Sequence, residues 1–413
     1  MQHHPRTRFG RPARAAPQVA SASGKARRTL VVCIDPAFPP TSGADLRNFG
    51  NAVAAAELGP VCLVSVRPLA GPPQPLPANI RVVTLTAEGE PRARALGLWR
   101  TKTETRIPRP ALARLEALVR EFRPDTIVVE GIPLFRLLRP LRPLAGQLIL
   151  DMHNVESDLA GQLHPAQGSG ALDVRRLERK AAAIVDRIWV CSRRDHGKFK
   201  ALVSSTVPVD IVANGIPRAE DIPKALPALP ASSGGFPLIL LVGHLGYQPN
   251  IDAAQRLARS ILPRIRQALP TAKLTLAGRS PAPSVQALAR LEGVALVEDP
   301  DDVRPLLSAA HLSVIPLSMG GGTRIKILEA MAWGVPVIAT PLAAEGLDLV
   351  ENEDVLLAAS DEELAAMAIA LCADPGRMAR QRAHAHEAVW SRFGPQAIRD
   401  AVHSGLGLAD EDA

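Results

Sequence analysis

The chain has 413 residues, a formal net charge of +7 and 47% apolar residues, with aromatic side chains making up 3%. That length can hold two cored domains. No apolar run approaches the roughly 18 residues of a membrane-spanning helix. No basic stretch is interleaved with aromatics as a nucleic-acid surface requires, so nucleic acid is not an expected partner. Cys33, Cys62, Cys191 and Cys372 are too far apart in sequence for a disulfide frame or a metal site. They read as buried free thiols of a reducing, cytoplasmic compartment.

Residues 1–28 carry seven Arg or Lys and no acid. They lack the apolar segment of a secretory signal and are expected to be a disordered basic tail. Thr29–Ile34 then reads as a buried strand, followed by a proline-rich loop that ends at Gly43, a helix over Ala44–Leu58 and a second strand over Val61–Val66. This order opens a doubly wound α/β sheet, with the glycine loop at the carboxyl edge where such sheets bind ligands. Gly43 is suited both to close approach of a ligand and to a simple turn. Ala87–Pro110, rich in arginine, is expected to be irregular, and a helix over Ala111–Phe122 leads into a strand over Thr126–Glu130. Leu134–Arg142 sets Arg136, Arg139 and Arg142 among leucines, a pattern that can lie on anionic membrane, although Pro140 and Pro143 argue against a long amphipathic helix.

The strand Gln147–Asp151 runs directly into Asp151-Met-His153-Asn-Val-Glu156-Ser157. Polar groups crowded at the carboxyl end of a strand make His153 a candidate for work on a substrate, beside the plainer reading of a structural hydrogen-bonding histidine. Helix 172–185, strand 187–191, helix 193–203 and strand 207–212 complete a first domain over residues 29–216. Prolines at 217, 223, 227, 230 and 237 mark residues 217–237 as a linker. A second βα series follows over 238–390, from the strand Leu238–Val242 through a long helix over Ile251–Leu269. Residues 391–413 form a last helix and tail, expected to return to the first domain. In Asp299-Pro-Asp301-Asp302, one of the two later aspartates is expected to cap the helix starting at Val303 and not to hold a metal.

The densest stretch is 316–340, PLSMGGGTRIKILEAMAWGVPVIAT. It reads as strand, glycine loop, helix and strand, the helix starting at Thr323, whose hydroxyl can cap it, with Ile325, Leu328 and Ala332 on one face. Arg324 and Lys326 in its first turn oppose the helix dipole, which favours anions there by about 0.3–1 kcal/mol. With Gly320, Gly321, Gly322 and the free N–H groups of the first turn, they describe a seat for a phosphate or diphosphate. Glu329, one turn on, can accept hydrogen bonds from a vicinal diol such as a ribose. The plain alternative is two solvated cations and an ordinary helical glutamate.

The segments Gly320–Ala332, Gly334–Thr340, Ala344–Leu347, Val242–Asn250, Leu276–Arg279, Asp151–Glu156, Val190–Ser192, Ala213–Ile216 and Pro39–Gly43 together resemble, in order, the retaining glycosyltransferases of family 4. The resemblance implies the GT-B fold, α/β with two Rossmann-like domains facing each other across a cleft, the acceptor in the first and the donor in the second. It implies a nucleoside-diphosphate sugar as donor and no metal or other cofactor. Glu329 would hold the donor ribose. The backbone from Gly320 to Thr323, with Arg324 and Lys326, would hold the diphosphate. His153 would reach the reacting sugar, and Gly43 would approach the phosphates from across the cleft. Two departures from the family pattern stand out: Gly321 lies where many members carry a glutamate, and His244, with Asn250, where many carry an arginine and a lysine. The donor sugar is put in doubt by this more than the reaction.

The expected activity is therefore transfer of a sugar to a hydroxyl of a glycan, a lipid-linked or a small-molecule acceptor, with a peripheral contact to the inner face of an anionic membrane as a further expectation. A nucleotide-sugar 2-epimerase and a non-catalytic sugar-nucleotide-binding subunit stand as alternatives. Glycosidase-type catalysis by two carboxyls is not required.

Overall fold

Unbroken apolar runs such as Leu30-Val-Val-Cys33 and Leu148-Ile-Leu150 are buried on both faces, the pattern of parallel strands covered by helices on either side. The computed structural model describes residues 26–40, 42–69, 75–86, 94–98, 101–163, 168–203, 206–230, 236–320 and 324–407. Of the expected basic tail, all but its last three residues lies outside that set.

The first unit runs β1 (Thr29–Cys33), α1 (Gly43–Ala56), β2 (Val61–Ser65), β3 (Ile80–Thr84), β4 (Arg94–Leu98), β5 (Thr101–Arg106), α2 (Arg109–Phe122), β6 (Thr126–Glu130), α3 (Phe135–Leu141), β7 (Gln147–Met152), α4 (Glu156–Leu163), α5 (Gly168–Ala182), β8 (Arg187–Val190), α6 (Arg193–Leu202) and β9 (Val209–Ile211). Seven of its strands form one parallel sheet in the order β3-β2-β1-β6-β7-β8-β9. The order reverses beside β1, between it and β6, which is where an open α/β sheet leaves a crevice at its carboxyl edge.

The second unit runs β10 (Leu238–Val242), α7 (Gln248–Arg256), α8 (Leu262–Ala268), β11 (Lys273–Gly278), α9 (Pro283–Gln286), β12 (Val294–Glu298), α10 (Arg304–Ala309), β13 (Leu312–Ile315), α11 (Ile325–Ala332), β14 (Val337–Ala339), α12 (Pro341–Ala344), β15 (Leu356–Leu357), α13 (Asp361–Ala373) and α14 (Pro375–Phe393). Its parallel sheet has the order β12-β11-β10-β13-β14-β15, with the corresponding reversal between β10 and β13. A π-helical turn over Leu257–Ile261 joins α7 to α8, so the helix expected from Ile251 starts three residues earlier and is continuous.

The last helix, α15 (Pro395–Gly405), lies against α1 of the first unit. Ile398, Val402 and Leu406 are buried with Val31, Trp189 and Val212 on one face of the first sheet. His403 lies 3.0 Å from the Ala54 carbonyl, and the Trp189 indole N–H donates to the Gly405 carbonyl at 3.3 Å. The chain thus passes between the units twice, and the passages are bonded to each other by Ile216 N–H to Phe393 O at 3.0 Å. Within the expected linker, Ala219 and Ile222 are buried in the second core.

Three expectations are corrected. Residues 94–98 and 101–106 pair as antiparallel strands, β4 with β5, and are not irregular, because Glu104 and Thr105 turn inward against the segment around α3. The leucines of 134–142 serve the core: Leu134, Leu137, Leu138 and Leu141 are at most 1% exposed, so no apolar face is left there for a membrane. Residue 303 is the cap position of α10 and carries no side-chain cap; the carboxylate of Asp302 instead accepts the Arg304 N–H at 2.9 Å. Among the described residues no group of three or more His, Cys, Asp or Glu could hold a metal ion, and no helix is long and apolar enough to cross a membrane.

Candidate active site

The crevice of the second sheet opens beside the loops that follow β10 and β13. Helix α11 starts at Ile325, two residues later than its sequence suggests, because Arg324 takes φ −84° and ψ 82° and serves as the cap residue without a side-chain cap. Gly321, Gly322 and Thr323 lie outside the described residues. Ile327, Leu328 and Met331 form the buried face of the helix, with Ala330 and Ala332, while Ile325 is only partly covered and faces the cleft.

Arg324 is buried, and a Cβ on Gly320, whose φ is +129°, would lie 3.3 Å from its Nη2. Lys326 donates from Nζ to Asn250 Oδ1, and Asn250 donates in turn to the His244 carbonyl at 2.9 Å. Gly243 makes room for this: a Cβ there would stand 3.0 Å from Lys326 Nζ. Asn250, at the position of the family departure, is therefore a brace for Lys326. The His244 side chain is exposed at the mouth of the same loop.

The electrostatics of this corner are unbalanced. Burial, and then the neighbouring Arg324, push the Lys326 ammonium down to about 7, and burial lowers Arg324 from its ordinary value. Burial also raises the half-buried Glu329 carboxyl to about 7, with Arg218 of the interdomain passage as the opposing cation. Two cations that burial disfavours, aimed at a helix N-terminus, are what an arriving polyanion relieves.

The first unit supplies the facing wall. Gly43 is the first residue of α1, which Ser42 and Asp45 close with a reciprocal capping box. A Cβ on Gly43 would lie 3.2 Å from Ile325 Cδ1, so the N-termini of α1 and α11 meet across the cleft. His153 follows β7 and is surrounded by protein. Its Nε2 is 3.3 Å from Asn48 Oδ1 and 3.7 Å from Asp151 Oδ2, and its Nδ1 is 3.8 Å from Glu130 Oε1. Burial opposes the imidazolium, but Asp151 and Glu130 outweigh it and raise the His153 pKa. Glu130, raised by burial, is itself held by the Ile34 N–H at 2.8 Å.

Below the junction of the two units lies a cleft of about 700 Å³, lined by Phe38, Phe49, Arg218, Arg279, Asp299 and Asp301 among others. At the opposite rim Arg194 pairs with Glu345, and Arg193 with Asp348 at 3.3 Å.

The structure thus brings His244, Gly320, Arg324, Lys326 and Glu329 to one crevice and sets Gly43 against it, with His153 at the adjoining carboxyl edge of the first sheet. Sequence reasoning missed Glu130, Arg47 and Asn48. Glu130 was read only as the end of a strand. On α1, Arg47, Asn48 and Asn51 are polar at i, i+1 and i+4 in a helix otherwise rich in alanine, and that buried polar stripe was the available signal.

Residues 236–374 match the family model described as glycosyl transferases group 1. No curated protein matches the chain by sequence. Among solved structures, sucrose-phosphate synthase from Thermosynechococcus elongatus superposes with a TM-score of 0.70 at 19% identity, over 92% of this chain and 98% of that one. Anabaena HepE, in complex with UDP and glucose, gives 0.64 at 15% identity, over 93% and 100%. WaaG, a glycosyltransferase involved in lipopolysaccharide biosynthesis, gives 0.65 at 14%, over 92% and 100%. The chain has the GT-B fold, and its segment 236–374 is similar to the group 1 glycosyl transferases.

Proposed function

We propose that the protein is a retaining glycosyltransferase that moves a sugar from a nucleoside-diphosphate sugar to a hydroxyl group. The observation that supports this reading is the approach of Gly43 to Ile325 at the start of α11, beside Arg324 and Lys326. In this reading the diphosphate sits on the α11 N-terminus, held by Arg324, Lys326 and the backbone from Gly320 to Thr323, with His244 at the rim. Glu329 accepts from the ribose. As the bond to the anomeric carbon breaks, negative charge grows on the leaving diphosphate, and fixed cations and helix N–H groups stabilise it with no rearrangement at that moment. His153, with both ring nitrogens facing protein acceptors, contributes a positioned imidazolium near that charge. The first unit, 29–216 with the returning helix, is the acceptor side, and 238–390 the donor side. The acceptor is a glycan, lipid-linked or small-molecule hydroxyl. A peripheral contact with anionic membrane is carried by the basic N-terminal tail, residues 1–28.

Incubation with a panel of nucleoside-diphosphate sugars tests the reading. Slow release of nucleoside diphosphate by hydrolysis supports it. Formation of a 2-epimer without release points to an epimerase, and binding without turnover, even with acceptor extracts, to a non-catalytic subunit.

A further inference from the structure

Arg47 is 3% exposed, although it belongs to a helix that forms a wall of the cleft. A buried guanidinium is tolerated only when its donors are met. Here Nε lies 3.1 Å from both oxygens of Asp151 and Nη2 lies 2.5 Å from Oδ1. Nη1 donates to the Val212 carbonyl at 2.6 Å and to Asn214 Oδ1 at 3.0 Å. One side chain therefore joins α1, the end of β7 and the segment that leads into the first interdomain passage at Ile216.

The second oxygen of Asp151 takes a bond from Asn51 at 3.3 Å and faces the His153 imidazole. The remaining groups about that imidazole are Glu130 from β6, Asn48 from α1 and Glu156 from α4, while the Cys191 thiol lies 3.4 Å from the His153 carbonyl. A pair kept only for stability can usually be replaced by apolar residues of like size. This one has its acid two residues from the candidate histidine, and its base, on α1, is bonded to Val212 and Asn214 just before the interdomain passage.

We propose that Arg47 and Asp151 are positioning residues for His153: the pair fixes the charge and orientation of the imidazole and ties both to the interdomain passage at Asn214. Burial works against ionised Asp151, but Arg47 and His153 hold its carboxyl down at about 2, so it stays a carboxylate throughout the neutral range. Arg47 keeps its proton for the same reason. The kinetic consequence rests on the transferase reading; the titration of the imidazole does not.

The test follows the His153 imidazole by NMR, assigned by comparison with His153→Asn, in the wild type and in Asp151→Asn and Arg47→Lys. The wild-type imidazole is expected to titrate above the ordinary range near 6.5. In Asp151→Asn its midpoint falls by about one pH unit, the acidic limb of kcat moves with it, and kcat drops about tenfold or more with the donor KM within about threefold. Arg47→Lys keeps a cation, so the midpoint stays while kcat falls. A purely structural pair would lower Tm and leave the midpoint and the pH profile where they were, and that result overturns the proposal. A wild-type imidazole titrating below 6.5 overturns it without any variant. If no sugar nucleotide is turned over, the transferase reading fails and the titration alone decides.

Discussion

Donor binding should exchange protons with solvent, and the direction should reverse near neutrality. Lys326 and Glu329 both sit at about 7 before a ligand arrives. A diphosphate beside Lys326 favours the ammonium and returns it toward its ordinary value near 10.4, while ribose hydroxyls donating to Glu329 favour the carboxylate. At pH 8 about 0.9 of the lysines must take up a proton and about 0.1 of the glutamates release one, a net uptake of about 0.8. At pH 6 the same arithmetic gives a net release of about 0.8, with zero near pH 7. Apparent affinity therefore peaks near pH 7 and falls on both sides, approaching tenfold per unit at the extremes. Calorimetric titration with a nucleotide sugar, whose diphosphate does not itself titrate there, reads the proton number directly when run in two buffers of different ionisation enthalpy. Lys326→Met should abolish the uptake at pH 8, and Glu329→Gln the release at pH 6. A wild-type proton number of the same sign at pH 6 and pH 8, or uptake that survives Lys326→Met, would refute the assignment of these two residues to the diphosphate and the ribose.

Removing the imidazole should separate binding from chemistry: His153→Ala is expected to lower kcat by about two orders of magnitude with donor affinity within about threefold, and a fully active variant would remove His153 from the mechanism. Gly43→Val introduces methyl groups where even a Cβ lies 3.2 Å from Ile325, so turnover should fall with little change in Tm; unaltered kcat and KM would mean the two helix N-termini do not close on the donor. Of the four cysteine thiols, none in a disulfide, Cys33, Cys62 and Cys191 are buried and Cys372 partly so. Burial raises Cys62 to about 11 and Cys372 to about 12. Ellman's reagent should therefore react slowly with the native protein and with all four once it is unfolded, whereas rapid native reaction would contradict this packing. Residues 26–413 should fail to float with anionic liposomes, since the leucines of α3 are in the core; flotation of that truncated chain would require a different membrane-facing surface.

The parallel sheets were legible because strands buried on both faces leave unbroken apolar runs, and the helices because glycine and proline punctuate their ends. The crowding of cations at the start of α11 was legible from Arg324 and Lys326, whose charge conflicts with the helix dipole unless something outside answers it. The hairpin was not, because its inward residues are Glu104 and Thr105 and its neighbours are arginines, so no apolar alternation announces it. Nor was the partner of Lys326: Asn250 meets it across 76 positions of sequence, and only the parallel pairing of β10 with β13 brings the first turns of α7 and α11 side by side. The His153 surroundings were half legible. Asp151 and Glu156 stand beside it in the chain, but Arg47, Asn48 and Glu130 arrive from two other elements.

The return of α15 sets an order of assembly during synthesis. The first sheet is translated early, yet one of its faces stays open over Val31, Trp189 and Val212 until Ile398, Val402 and Leu406 are made. Domains commonly fold in the order they leave the ribosome. Here the unit made first is the one finished last, and for the time taken to translate about two hundred further residues it must carry an uncovered apolar face. A nascent chain stalled anywhere before residue 395 should expose that face to chaperones, even after the second unit's own sheet has been made.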